Sequence, residues 1–112
     1  MPKLTKQEIA LSFKTARRVL KHPGLDILLA KGQDLGKILV VTPGRVGNAA
    51  KRNLIRRRLK AIFHEEKLGS RGYNCIVLVK KAGILLSFDE LKLLLMQAIP
   101  PLVAFVRNIH EE

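Results

Sequence analysis

The sequence predicts an α+β fold, a two-layer sandwich in which helices pack on a small mixed sheet. Three observations carry this: two capping boxes that open amphipathic helices, short apolar runs bounded by glycine, proline and aspartate, and one long helical pattern between two of those runs. At 112 residues the chain can close about one hydrophobic core, so residues 1–112 are expected to form a single domain. With 47% hydrophobic and 27% charged residues, it can bury enough apolar surface to offset the ordering entropy of folding.

The first helix starts at the capping box TKQE, where the Thr5 hydroxyl accepts from the first turn and the Glu8 carboxylate reaches back. Ile9, Phe13, Ala16 and Leu20 recur at helical spacing along one stripe, while Lys14, Arg17, Arg18 and Lys21 fall largely off it. HPG at residues 22–24 is expected to stop the helix. Two apolar runs follow, residues 26–30 (DILLA) and 37–42 (KILVVT). The KGQDLG between them suits a turn, which predicts an antiparallel hairpin. Because ILVV is apolar at consecutive positions, its strand is expected to be covered on both faces, or covered on one and used on the other.

Asn48 then caps a long helix running to about residue 67. GSRGYN forms a loop and Cys75 to Val79 a strand. The second capping box, SFDE at Ser87 to Glu90, opens a helix with Leu91, Leu94, Leu95 and Ala98 on one face. Pro100 and Pro101 end it, and LVAFVRNIHEE reads as a short C-terminal helix covering the core. The order is helix, hairpin, helix, strand, helix. A helix joining the hairpin's second strand to the Cys75 strand makes those two parallel neighbours, with a right-handed crossover as the default.

Charge speaks to partners. The formal net charge is +12, from 21 Lys+Arg against nine Asp+Glu, an excess that attracts polyanions. GRVGNAAKRNLIRRRLK, Gly44 to Lys60, contains seven lysines and arginines in 17 positions and no acid. At about 100° per residue, Ile55, Leu59, Ile62 and Phe63 share one face of this helix and should pack on the sheet. The opposite arc gathers Asn53, Arg56, Arg57 and Lys60, with Arg52 and Arg58 on the two flanks. A solvated surface helix interleaves both signs of charge; here no acid occurs between Asp34 and Glu65 to pair with the stripe, which favours nucleic acid. Phosphate contacts do not by themselves separate RNA from DNA. A helix-turn-helix needs a short helix before the recognition helix, and a strand precedes this one, so RNA is the expected partner and DNA is not.

Other chemistries have little support. Cys75 lies inside CIVLV and reads as a buried strand thiol, and a lone cysteine forms no internal disulfide. MPKLTKQE lacks the apolar core of a signal peptide, and no apolar run reaches the ~18 residues of a membrane span, so a cytoplasmic protein without membrane contact is expected. The acids are scattered, and His22, His64 and His110 have no metal-ligand spacing, so no catalytic group and no metal ligand is assigned to the chain.

VGNAAKRNLIRRRLKAIF, followed by GYNCIVLVKK and LSFDEL, resembles the protein component of bacterial ribonuclease P over most of the chain. Gly47, Asn48 and Ala49 match the start of that family's signature, Arg52 and Asn53 its first two positions, and Arg56, Arg57 and Lys60 the basic positions that follow. The third signature position holds Leu54 in place of arginine, with Arg58 within about 40° on the same flank. A further departure is the scarcity of aromatics in the N-terminal half, where Phe13 stands alone.

The resemblance implies a left-handed crossover through the basic helix, against the default. It implies that Arg45, Asn48, Lys51, Arg52, Asn53, Arg56, Arg57, Arg58 and Lys60 meet the ribonuclease P RNA. Phe13 and Arg17 would line a cleft for the 5′ leader of precursor tRNA, and hydrolysis would be carried out by the RNA with its bound magnesium. The protein would then be a subunit of the ribonuclease P ribonucleoprotein, an endonuclease of tRNA maturation. Two competing readings are a structural RNA-binding protein of ribosomal type, which needs no leader cleft, and a DNA-binding regulator, which predicts a dimer.

Overall fold

A computed structural model of the chain describes residues 3–32 and 35–100. Helix α1 spans Lys6–Thr15 behind the expected capping box: Glu8 N donates to Thr5 Oγ1 at 3.1 Å and Thr5 N donates to Glu8 Oε1 at 3.0 Å. The backbone N–H of Thr5 and the ammonium of Lys37 beside it hold the Glu8 carboxyl below the usual carboxylate range.

The helix then ends a turn and a half short of the expected HPG stop. Ala16 is extended at φ −67° and ψ 144°, and Arg17–Lys21 form strand β1, antiparallel to β2 at Leu25–Lys31. The helical spacing of Leu20 was a coincidence of period. Its side chain reaches the core from a strand, and the backbone of residues 17–21 finds partners along the edge of β2. HPG is the β1–β2 turn, in which His22 N donates to Leu25 O at 3.0 Å and Gly24 N donates to His22 Nδ1 at 2.9 Å.

The sheet order β1-β2-β4-β3 overturns the expected hairpin between residues 26–30 and 37–42. All seven residues of β2 pair antiparallel with β4, Tyr73–Val79, while β1 occupies the other edge, so β2 has no edge left for β3 at Ile38–Val41. Strand β3 instead runs parallel to β4, as a helical connection between them predicts.

That connection is α2, Ala49–Glu65, whose N-cap Asn48 accepts from Lys51 N at 2.9 Å through Oδ1. Ile55, Leu59, Ile62 and Phe63 are all buried, as their spacing requires. They close one core with Leu25, Ile27 and Leu29 of β2, Ile38 and Val40 of β3, Cys75, Val77 and Val79 of β4, and Leu91, Leu95 and Ala98 of α3, Phe88–Ala98. Helix α3 also begins at its expected capping box, Ser87 with Glu90. Burial pushes the Cys75 thiol up to about 12, so it is inert packing material at neutral pH. The tail after Pro101 lies outside the described residues.

The other sheet face carries Asp26, Leu28 and Ala30 of β2, Leu39 and Val41 of β3, and Asn74, Ile76 and Leu78 of β4. Helix α1 lies across this face. Asn74 joins three elements, since its Oδ1 accepts from Lys37 N at 3.0 Å and its Nδ2 donates to Ser12 Oγ at 3.3 Å. Lys37 Nζ adds an ion pair with Glu8 at 3.0 Å. Ten helical residues cannot cover the whole face, so Leu39 and Val41 at the edge stay half-buried.

Asp26 is the buried acid of this face. Burial alone raises its pKa, but Lys80 Nζ at 2.8 Å from Oδ1, and more weakly Arg18 Nε at 3.5 Å from Oδ2, outweigh that cost and hold the carboxyl below its ordinary value. The approach of Lys80 to Oδ1 is that of a close ion pair, not a well-aligned hydrogen bond.

Candidate nucleic-acid interface

Helix α2 turns its apolar stripe to the sheet and so must show its other arc to solvent. Asn53, Arg56, Arg57 and Lys60 converge with Ala50 on one shallow concavity there. Arg56 is braced from β3's end, its Nη2 donating to Thr42 Oγ1 at 2.8 Å. Arg52 and Arg56 are half-buried, and the Nε of each is inaccessible and unpartnered among the described residues. An anion meeting the Arg56 guanidinium finds a side chain already held by Thr42, which lowers the ordering cost of binding.

The ion pairs among the described residues are Arg18–Asp26, Lys37–Glu8, Lys80–Asp26 and Lys92–Glu66, and none involves the basic residues of positions 45–60. Neither does α2 carry an acid in its first turn to offset the positive end of its dipole. The electrostatic cost of this face is thus left for a partner to relieve.

The expected RNA contacts divide into sets. Asn53, Arg56, Arg57 and Lys60 share the concavity, whereas Lys51 and Arg58 line a separate groove on the opposite flank with Leu54. Arg45 is exposed in the short 3-10 turn Gly44–Val46 ahead of the helix. Asn48 is fixed by its cap through Oδ1, with its amide NH2 as the side-chain donor for a phosphate.

A second groove opens where α1 leaves the sheet uncovered. Lys3, Leu4 and Ile9 form one wall, Ile38, Leu39 and Val40 the floor, and Lys60 the far side. Lys60 therefore borders both the concavity on α2 and this apolar groove, and the two meet there. Phe13 follows Ile9 by one helical turn on the same side of α1 and is 45% exposed.

Arg17 is not beside it. On β1 it pairs opposite Leu29, whose side chain enters the α2–α3 core, so Arg17 belongs to the other sheet face. Arg18 and Lys21 are the basic residues of β1 on the α1 face, opposite Leu28 and Asp26, and Arg18 makes an ion pair with Asp26 there. Lys3, Leu4, Leu39 and Arg18 were not found by sequence reasoning. The two-residue period of ILVV is the signal that could have placed Leu39 opposite the core.

No three of the histidine, cysteine, aspartate and glutamate side chains among the described residues form a group that could hold a metal ion. No helix among the described residues is long and apolar enough to cross a membrane.

A small α+β protein with an unpaired basic helix beside an open sheet face is a protein built to meet a polyanion. The particular family follows from comparison: the Ribonuclease P family model matches residues 4–100, and the chain belongs to that family, whose members are subunits of a tRNA-processing ribonuclease. No curated protein matches it in sequence. In fold it is similar to the ribonuclease P protein of Thermotoga maritima, with a TM-score of 0.73 and 20% identity over 88% of this chain and 96% of that one. It is also similar to the Staphylococcus aureus ribonuclease P protein, with a TM-score of 0.70 and 15% identity over 84% of this chain and 87% of that one.

Proposed function

We propose that this chain binds the catalytic RNA of ribonuclease P through the exposed arc of α2. In this reading it holds the single-stranded 5′ leader of precursor tRNA along the groove between α1 and β3. The observation that carries the reading is that the two surfaces meet at Lys60: a cationic arc that forms no ion pair among the described residues adjoins an apolar trough with lysines at its rims. Cations neutralise phosphates wherever RNA folding crowds them, and an apolar floor takes unstacked bases.

The hydrolytic chemistry belongs to the RNA and its magnesium in this account. The protein's contribution is positional and electrostatic: it lowers the magnesium needed for the RNA to fold and keeps the leader in register. The setting is cytoplasmic tRNA 5′ maturation.

Phe13 gives the sharpest test of the groove. Stacking of a base on an aromatic ring contributes roughly 1–3 kcal/mol, and a half-exposed ring should lie at the lower end. Phe13→Ala is expected to weaken binding of precursor tRNA to the assembled ribonucleoprotein about fivefold while leaving mature tRNA unaffected. Equal losses for the two tRNAs would remove the leader from the groove.

A further inference from the structure

On the flank of α2 away from that groove, Leu54 and Ile55 face Ile84, Leu85 and Leu86 across a small depression, with Lys51 and Arg58 also in its lining. Leu85 is 81% exposed, and Leu54, in α2 beside Lys51 and Arg58, is 39% exposed. Two leucines kept in water at the edge of a phosphate-binding helix call for an explanation.

Their exposure is held in place by the surrounding backbone. Leu85 ends the 3-10 turn Lys81–Leu85, and Lys80 N donates to Gly24 O at 2.9 Å just before that turn. Gly83 then packs so closely on the same carbonyl that a Cβ has no room there. Leu86 N donates to Gly83 O at 3.1 Å and closes the turn. Gly47, ahead of α2, also lies close against Ile84, where an added Cβ would sit 3.1 Å from its Cδ1. The turn is therefore anchored on the β1–β2 hairpin and on the approach to α2, and it presents Leu85 outward.

We infer that this depression is a slot for one unstacked nucleobase of the RNA that α2 engages. Phosphate finds no partner on Leu54 or Leu85; the apolar part of a polynucleotide is the face of a base. Lys51 and Arg58 beside the slot match the phosphates on either side of such a base, and no acid lines it. The depression holds about 210 Å³, smaller than the ~300–1,000 Å³ of sites for drug-sized ligands and suited to one flat group. It lies on the same helix as the concavity of Arg56 and Arg57, on the opposite flank. The inference rests on the RNA-binding reading above.

The test is equilibrium binding of full-length protein to a bacterial ribonuclease P RNA across a salt series, with Leu85→Ala and Leu54→Ala beside the unaltered chain. Leu85 is too exposed for its truncation to unsettle the fold. Each substitution removes apolar area that the base would cover and is expected to weaken binding about tenfold, with the slope of log Kd against log salt unchanged, because no phosphate contact is lost. Lys51→Ala should instead reduce that slope by about one.

Unaltered affinity in both leucine variants would overturn the slot while leaving the RNA-binding reading intact. Failure of the unaltered protein to bind in a salt-dependent way would overturn both. Sedimentation of the unaltered protein as a dimer that Leu85→Ala dissociates would assign the patch to a second copy of the chain and also overturn the slot.

Discussion

Replacing Arg52, Arg56 and Lys60 together with alanine is expected to weaken binding to a bacterial ribonuclease P RNA by roughly 100-fold near physiological salt. It should also reduce the slope of log Kd against log salt by about two to three. Both figures follow from counterion release: each phosphate neutralised by a protein cation contributes about 0.9 to that slope on duplex and about 0.7 on single strands. The three residues are chosen because none takes part in an ion pair among the described residues. Their removal deletes no salt bridge from the fold, and circular dichroism should confirm a native protein. An unchanged slope would take α2 out of the interface.

The second large effect is on stability and comes from the opposite face of the same helix. Leu59 is fully buried between the sheet and α3, so Leu59→Ala is expected to cost about 3–5 kcal/mol, the transfer of the lost carbons plus the cavity they leave. That is a large share of the roughly 5–15 kcal/mol that holds a small domain together. Urea unfolding should show a lower midpoint at unchanged m-value, whereas Leu85→Ala, at 81% exposure, should move the midpoint little. A loss below about 1 kcal/mol for Leu59→Ala would mean that α2 is not docked as described.

These two predictions set apart what the sequence made legible from what it hid. Both faces of α2 follow from a period of 3.6 residues, and its cap, like the capping boxes at Thr5 and Ser87, is a contact between residues three apart. Local signals of this kind are written in consecutive residues. The end of α1 is not. Residues 9, 13, 16 and 20 fit a helix as well as any local rule demands, and only the free edge of β2 makes residues 17–21 a strand.

The same holds for the pairing of β2. Turn residues between two apolar runs argue for a hairpin, yet β4, more than forty residues on, inserts between β2 and β3 and takes every partner that β2's inner edge offers. This non-local competition also explains the uneven recovery of the functional surface. The concavity on α2 comes from one helix and could be read from its spacing. The groove beside it draws Ile9, Leu39 and Lys60 from three elements and Lys3 from the segment before α1, and the misplaced end of α1 set Arg17 where the structure puts it on the other sheet face.

The central claim is that this protein assists an RNA catalyst. The measurement that tests it most directly is cleavage of precursor tRNA by a bacterial ribonuclease P RNA at low magnesium, with and without the protein, on substrates with and without a 5′ leader long enough to reach the groove. The account predicts that the protein stimulates cleavage and that most of the stimulation disappears when the leader is cut to a single nucleotide. Absence of stimulation, alongside tight and salt-sensitive RNA binding, would contradict it and leave a basic RNA-binding protein with no part in the cleavage.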